Sequence, residues 1–159
     1  MMIDFNRAVV LITSSNPENP QFGTGFVVHQ NNGEIYLITC FHVVEAVGGT
    51  DMVMADRCQA RVIGSSPDTD FDMAVLKIYN QEKSYENLLL DSTENTNHDI
   101  QTVGYHQYGE QRLFDLLDAE LEKKTSLISS SSDQISAWHI KIKEYDYFLK
   151  PGRSGSTVV

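Results

Sequence analysis

Short apolar runs separated by turn residues predict an all-β domain, built as a sandwich or a barrel. The runs have the length and the β-branched content of strands, and clusters of Asn-Gly, Pro and Ser separate them at short spacing. No internal repeat and no heptad pattern is present. With 159 residues, of which 41% are hydrophobic, the chain is long enough to bury a core.

The front half of the chain supplies a series of predicted strands. AVVLIT (Ala8 to Thr13) is followed by a polar loop, and GTGFVVHQ leads through a turn into IYLITC (Ile35 to Cys40). Gln30 to Gly33 are predicted to form a hairpin turn, because Asn-Gly accepts the positive φ that tight hairpins require. DMVMAD, QARVIG and DMAVLKIY continue the strand pattern.

The polar segment from Asn80 to Asn97 is predicted to separate two halves of the chain. After it, DIQTVGYHQYG and ISAWHIKIKEYDYF have the pattern of strands. Between them, LFDLLDAELEKK carries leucines at near-helical spacing among good helix formers, so its local sequence favours a helix. SLISSSSDQ is predicted to be a flexible loop.

Charge and composition exclude several classes of partner. The formal net charge of −10 argues against nucleic acid, whose affinity for proteins comes largely from Lys and Arg, and it would repel anionic lipid. No apolar stretch is long enough to cross a membrane, and Met1 to Arg7 lack the pattern of a secretory signal, so we expect a cytoplasmic protein with no membrane partner. Cys40 and Cys58 are expected to be free thiols, and no cofactor is expected.

Three segments carry side chains suited to chemistry. His42 ends the apolar run LITCFHVV, although a lone histidine in such a place is more often structural than catalytic. Asp72 directly precedes an apolar strand, and a carboxylate drawn into the protein needs a partner. Ser154 lies in PGRSGS, where the flanking glycines let the backbone approach a ligand closely, although a plain turn uses the same residue types.

The combination of these three residues predicts nucleophilic catalysis. A serine hydroxyl needs an adjacent base in order to attack, and histidine suits that role because its pKa lies near neutral pH. An aspartate then holds the imidazole in one tautomer and offsets its developing positive charge. The chain order His42, Asp72, Ser154 is one of the known orders of such a triad.

These motifs resemble those of the trypsin-like serine proteases with the chymotrypsin fold, especially bacterial proteases of the HtrA type. GTGFVV followed by YLITCFHVV is similar to the strand and the histidine segment of that family, DTDFDMAVLKI to its aspartate segment, and LKPGRSGSTVV to its nucleophile loop. The similarity runs from Ala8 to Val159. It implies two packed antiparallel β-barrels of the six-stranded type, formed by residues 1–85 and 86–159, with the second barrel incomplete in this chain.

The resemblance also implies an activity and a set of roles. The chain would be a serine endopeptidase that works through an acyl-enzyme, with Ser154 as nucleophile, His42 as base and Asp72 as the group that orients the histidine. The backbone N–H groups of Gly152 and Ser154 would form the oxyanion hole. Phe148 would lie at the base of the pocket for the substrate side chain, which disfavours a preference for basic residues.

The resemblance further implies that residues 113–122 form a strand rather than the helix that their local sequence favours. It also leads us to expect a protein or peptide substrate, and further domains or another chain that complete the fold, in a larger regulated intracellular protein.

Two alternatives remain open at this stage. The chain could be an inactive pseudoprotease that binds peptides or partners, an alternative that Arg153 supports because many family members have an acid or an amide at that position. A metal site could use Cys40, His42 and Cys58 with another histidine, but that spacing fits no familiar zinc arrangement.

Overall fold

The computed structural model describes residues 3–66, 71–90, 98–128, 134–143 and 150–159. Short helices and antiparallel strands follow one another in the order α1 Phe5–Ala8, β1 Val9–Ser14, β2 Phe22–Asn31, β3 Glu34–Thr39, α2 Phe41–Ala46, β4 Val53–Ala55, β5 Cys58–Gln59, β6 Arg61–Ser65, β7 Ala74–Tyr79, β8 His98–Tyr108, β9 Gln111–Ile128, β10 Gln134–Ile142 and β11 Thr157–Val158. The prediction of an all-β fold is confirmed.

The first seven strands form one antiparallel sheet that curls into a nearly closed barrel, in the order β5-β4-β1-β2-β3-β7-β6. The predicted hairpin joins β2 to β3, and Asn32 and Gly33 adopt φ angles of 51° and 83° in its turn. Side chains that alternate along β3 and β7, among them Leu37 and Leu76, are fully buried inside the barrel. Burial of alternate residues is what the period of a strand produces when one face of the sheet covers a core.

The remaining strands form a four-stranded sheet in the order β10-β9-β8-β11. Residues 113–122 lie within β9, which confirms the strand expected from the resemblance and overrules the local helix preference. Leu117 and Leu121 point to the buried side of β9, whereas Leu113 and Leu116 are exposed. The ladder with β8 fixes this arrangement, because pairing with a neighbouring strand outweighs helix propensities of a few tenths of a kcal/mol per residue.

The prediction of a loop over SLISSSSDQ is wrong at the start of this segment. Ser126, Leu127 and Ile128 continue β9 and pair with Ser136, Ile135 and Gln134 of β10. Their partners lie on the returning strand of the same hairpin, so the local sequence alone could not reveal the pairing.

The two sheets pack against each other through a small apolar cluster, which we call the inter-sheet cluster. Its buried members are Ala8, Val9, Leu88 and Val103, and Phe5, Phe26, Tyr105 and Phe114 cover it. The division of the chain into barrels at residues 85 and 86 stays a prediction. In the ranges that the structure describes, neither helix has the length or the apolar character needed to cross a bilayer.

Candidate active site

His42 lies on the first turn of α2, just beyond the end of β3. Strand β3 ends at Thr39, Cys40 takes an extended conformation, and the helix begins at Phe41. The Cys40 side chain makes no capping hydrogen bond to the helix. The first N–H groups of α2 therefore need acceptors from another part of the chain.

Asp72 supplies those acceptors from the start of β7. Strands β3 and β7 pair so that Thr39 lies opposite Ala74, which places Asp72 beside the beginning of α2. The Asp72 carboxylate accepts a hydrogen bond from the His42 backbone N–H at 2.8 Å and contacts Nδ1 of the His42 ring through its second oxygen. The Phe41 N–H donates to the Asp72 carbonyl oxygen at 3.2 Å. Of the three predicted site residues, His42 and Asp72 are thus in direct contact.

The surroundings of Asp72 are less buried than the sequence suggested. Its side chain is 45% exposed and that of His42 is 52% exposed, so the carboxylate is paired without being enclosed. Partial burial raises the pKa of Asp72, but the hydrogen bonds from the His42 backbone and ring outweigh it and hold this pKa below its ordinary value. Asp72 is therefore ionised at neutral pH. Its φ angle of 40° lies in the left-handed region, which aspartate tolerates better than most residues.

Ser154 lies in a tight loop whose shape depends on two glycines. Gly152 and Gly155 adopt φ angles of 96° and 82°, which side chains rarely allow. Thr24 of β2 donates two hydrogen bonds to the loop. Its backbone N–H donates to the Ser154 carbonyl oxygen at 2.9 Å, and its hydroxyl donates to the Gly152 carbonyl oxygen at 3.1 Å. The same hydroxyl oxygen accepts the Tyr105 N–H at 2.9 Å, which connects β2, the loop and β8.

Gly155 brings this loop against the segment that carries His42. A Cβ atom at Gly155 would lie 1.9 Å from the Thr24 carbonyl oxygen and 2.7 Å from the Thr39 hydroxyl, so only glycine fits. The Cys40 thiol interacts with both the Gly155 backbone and Asp72. Cys40 therefore joins the Ser154 loop to the His42–Asp72 pair.

A cavity of about 600 Å³ opens beside Ser154. Its lining includes Ile140, Ile142 and Val158 as well as Lys150 and Arg153. Apolar carbon atoms thus form much of its wall, with two cationic residues at its edge. Phe148, which the resemblance placed at the base of the substrate pocket, lies outside the described residues.

The donor atoms of Cys40, His42 and Asp72 all lie within 4.8 Å of one another, and this is the one such group among the residues that the structure describes. It differs from the alternative that the sequence left open, because Cys58 lies on β5 beside Asp56 and Asn80. Burial, with the charge of Asp72 adding to it, raises the pKa of the Cys40 thiol, so this side chain is a neutral thiol at neutral pH. Both cysteines are free, as predicted.

Sequence reasoning missed two residues that organise the site. The sequence marks Thr24 only as part of a Gly-x-Gly strand, and its hydrogen bonds to Ser154, Gly152 and Tyr105 come from long-range packing that no local pattern reveals. For Cys40 the sequence predicts a free thiol and does not show its contacts with Gly155 and Asp72. Its position two residues before His42 was the available signal, since a short connection from β3 into α2 keeps the two residues close.

Comparison with known proteins gives a family and a set of similar folds. The sequence profile of the trypsin-like peptidase domain matches residues 23–159. No curated protein matches the chain in sequence.

Three crystal structures share the fold at low sequence identity. The Rv3671c protease in its inactive form is 20% identical with a TM-score of 0.68, over 96% of this chain and 71% of that chain. The active form of the Rv3671c protease from M. tuberculosis is 22% identical with a TM-score of 0.66, over 96% of this chain and 65% of that chain. Deg5 is 19% identical with a TM-score of 0.65, over 96% of this chain and 74% of that chain.

Proposed function

This chain belongs to the trypsin-like peptidase domain family, and on that premise we propose that it cleaves protein substrates with Ser154 as nucleophile, His42 as general base and Asp72 as the orienting carboxylate. Membership makes the chain a serine endopeptidase. The observation that carries the assignment of residues is the paired contact between Asp72 and both the backbone and the ring of His42.

The contact at Nδ1 determines which ring nitrogen is free for catalysis. Because Nδ1 of His42 faces Asp72, Nε2 is the atom left to accept the proton of Ser154. The Ser154 oxygen then bonds to the substrate carbonyl carbon, and His42 gives the proton to the leaving amine as the peptide bond breaks. Water then attacks the carbonyl carbon of the resulting ester while His42 accepts a proton from it. His42 returns that proton to the Ser154 oxygen as the ester bond breaks, which regenerates the serine and releases the carboxylic acid product. The ionised Asp72 stabilises the imidazolium that forms at each step.

The nucleophile loop would also stabilise the charge that develops on the substrate oxygen. We assign this role to the N–H groups of Gly152 and Ser154. In support, no described residue accepts a hydrogen bond from either N–H. Loss of one such donor typically costs about 10²- to 10³-fold in kcat.

The cavity beside Ser154 is the proposed place for the substrate side chain that precedes the cut. Its apolar wall, with Ile140 and Ile142, suits an apolar side chain, while the cation of Lys150 would repel a basic one. Cleavage of a peptide library is expected to follow apolar residues. Abundant cleavage after Lys or Arg would contradict this assignment.

A fluorophosphonate probe, which labels an activated serine covalently, tests the catalytic assignment. We expect labelling of the native protein at Ser154, loss of labelling in Ser154→Ala, and a fall in kcat on the order of 10⁶ in that variant. Ser156→Ala is the matched control, because it removes a hydroxyl from the same loop and should still be labelled. A native, folded protein that is never labelled would favour the pseudoprotease alternative.

The sequence-based expectations of further domains or a partner chain, of a cytoplasmic setting and of a larger regulated protein stay predictions. They do not enter the catalytic proposal.

A further inference from the structure

Arg153, the residue that precedes the proposed nucleophile, has a charged side chain that is buried in the protein. The Arg153 side chain is only 6% exposed, and its Nη2 atom forms an ion pair with Oδ1 of Asp115 on β9. Its Nη1 atom donates to the Thr102 carbonyl oxygen of β8 at 3.4 Å. The second carboxylate oxygen of Asp115 lies 3.2 Å from Nδ1 of His106, another buried side chain of β8. One carboxylate therefore lies between a guanidinium and an imidazole beneath the loop.

The strand register makes room for this contact. Asp115 lies opposite Gly104 in the β8–β9 ladder. A Cβ atom at Gly104 would lie 2.0 Å from the Ser156 hydroxyl oxygen, so the glycine allows the nucleophile loop to lie directly on β8. A buried guanidinium is tolerated only when a partner compensates its charge, and Asp115 is the carboxylate that contacts it among the described residues.

The backbone around Arg153 transmits the position of its side chain to the loop. Its N–H donates to the Lys150 carbonyl oxygen at 3.4 Å, and its carbonyl oxygen accepts the Ser156 N–H at 2.9 Å. Ser154 follows Arg153 directly, and Gly152 precedes it. A shift of Arg153 would therefore move the attacking hydroxyl and both N–H groups assigned to the oxyanion hole.

We propose that Asp115 is a positioning residue, which holds the Ser154 loop in its reactive shape by binding the inward-facing Arg153. The inference rests on the proposed function, since it concerns the geometry of the same nucleophile. Asp115 touches no reacting atom in this assignment and acts only through Arg153. Misplacement of a reacting group by about 1 Å can cost about 10²-fold in rate, which sets the scale of the expected effect.

The test compares two isosteric changes on one strand. Asp115→Asn removes the charge that pairs with the buried guanidinium, and Asp118→Asn makes the same change at an exposed position of β9, where the side chain accepts a hydrogen bond from Gln101. We expect the rate of fluorophosphonate labelling per folded molecule to fall about 10²-fold in Asp115→Asn and to stay unchanged in Asp118→Asn. On a peptide substrate, kcat should fall while KM changes by less than about twofold.

A double variant separates positioning from simple stabilisation. Asp115→Asn alone leaves a buried guanidinium without compensation and lowers the melting temperature, whereas Asp115→Asn with Arg153→Met removes both charges and should restore much of it. We expect the labelling rate of the double variant to remain low although its stability recovers. Recovery of both together, or a folded Asp115→Asn protein with the native labelling rate, would overturn the proposal.

Hydrogen exchange keeps this inference separate from the catalytic assignment. Faster exchange of the amides of residues 152–156 in Asp115→Asn than in Asp118→Asn is the expected result, whether or not the serine reacts. If the native protein is never labelled at Ser154, the proposed function is wrong, and the exchange comparison alone decides the positioning role. Equal exchange in the two variants would then refute it.

Discussion

Replacing Asp72 with asparagine removes one negative charge and changes little else in the structure. Asparagine has the same size and tolerates the left-handed φ of 40° as well as aspartate does, so the backbone at this position is not newly strained. The amide can still accept a hydrogen bond from the His42 N–H, but its NH₂ group cannot accept one from Nδ1. We expect it to favour the imidazole tautomer in which Nε2 carries the proton and can no longer accept one from Ser154.

The expected loss falls on catalysis rather than on folding. Loss of the orienting carboxylate in such a triad costs about 10⁴-fold in kcat, or about 5 kcal/mol in the activation barrier. A hydrogen bond to a charged group contributes about 1.5–3 kcal/mol to stability when it is buried. Because the Asp72 side chain is 45% exposed, we expect the variant to lose less than about 1.5 kcal/mol of its free energy of unfolding.

Asp56 offers a matched control with the opposite expectation. It is also an aspartate in the left-handed region, with a φ of 48°, and its carboxylate binds Tyr85 and Lys83, each at 2.7 Å. Asp56→Asn should lower the free energy of unfolding by about 2 kcal/mol and leave kcat per folded molecule unchanged.

Both variants can be assayed with quenched fluorescent casein and with chemical denaturation followed by circular dichroism. Retention of more than about a tenth of native kcat in Asp72→Asn would refute the role of Asp72 as orienting group. An equal fall of kcat in Asp56→Asn would show that the assay reports general destabilisation instead.

Three further predictions concern the loop, the buried histidine and the barrel. Gly155→Ala should lower the labelling rate at Ser154 by at least about 10²-fold, because its Cβ would lie 1.9 Å from the Thr24 carbonyl oxygen. Gly49→Ala, at a φ of 90° with open space around it, should leave the rate unchanged. Equal labelling rates in the two variants would contradict the close fit of Gly155. Burial and the cations Arg153 and Lys150 hold the pKa of His106 below its ordinary value of about 6.5. The unfolded chain then binds more protons than the folded protein, so the free energy of unfolding should fall as the pH drops from about 6.5 towards the lowered pKa. His106→Asn should flatten this dependence in denaturation measured at several pH values. An unchanged slope would show that His106 is not the group responsible. Tyr85→Phe removes the hydroxyl that donates to Asp56 and should lower the free energy of unfolding by about 1–2 kcal/mol, measured by urea denaturation, without changing kcat. An unaltered denaturation midpoint would show that this buried hydrogen bond does not contribute to stability.

The sequence predicted the barrel strands well because their signals are local. Asn32-Gly33 specifies its own turn, and the apolar run that follows it has the composition of a strand, with alternate residues of β3 buried. Residues 113–122 show the opposite situation: their local preference was helical, and the strand followed only from the resemblance. The reason is that the ladder with β8, a long-range contact, decides their conformation.

The sequence predicted candidate site residues but not their surroundings. His42 and Asp72 could be proposed because their motifs are short and they follow each other in the expected order. The helix on which His42 lies was not predicted, because its six residues are too few for a helical period to show, and its first N–H groups depend on Asp72, thirty positions along the chain. Asp115 and His106 gave no signal, since a polar residue on a strand normally faces solvent and only the packed structure reveals that His106 is buried with Asp115 beside it.

The two parts of the site belong to different sheets, and this division has a physical consequence. His42 and Asp72 are held by strands β3 and β7 of the barrel, whereas Ser154 is held by Thr24 from the barrel and by Arg153 from the side of β8 and β9. The distance between the proposed base and the proposed nucleophile therefore depends on how the two sheets pack. That packing rests on the inter-sheet cluster, which has far fewer buried side chains than the barrel core. Small changes at this interface can consequently alter catalysis while leaving the barrel folded, because the stability of the barrel comes from contacts that do not cross between the sheets.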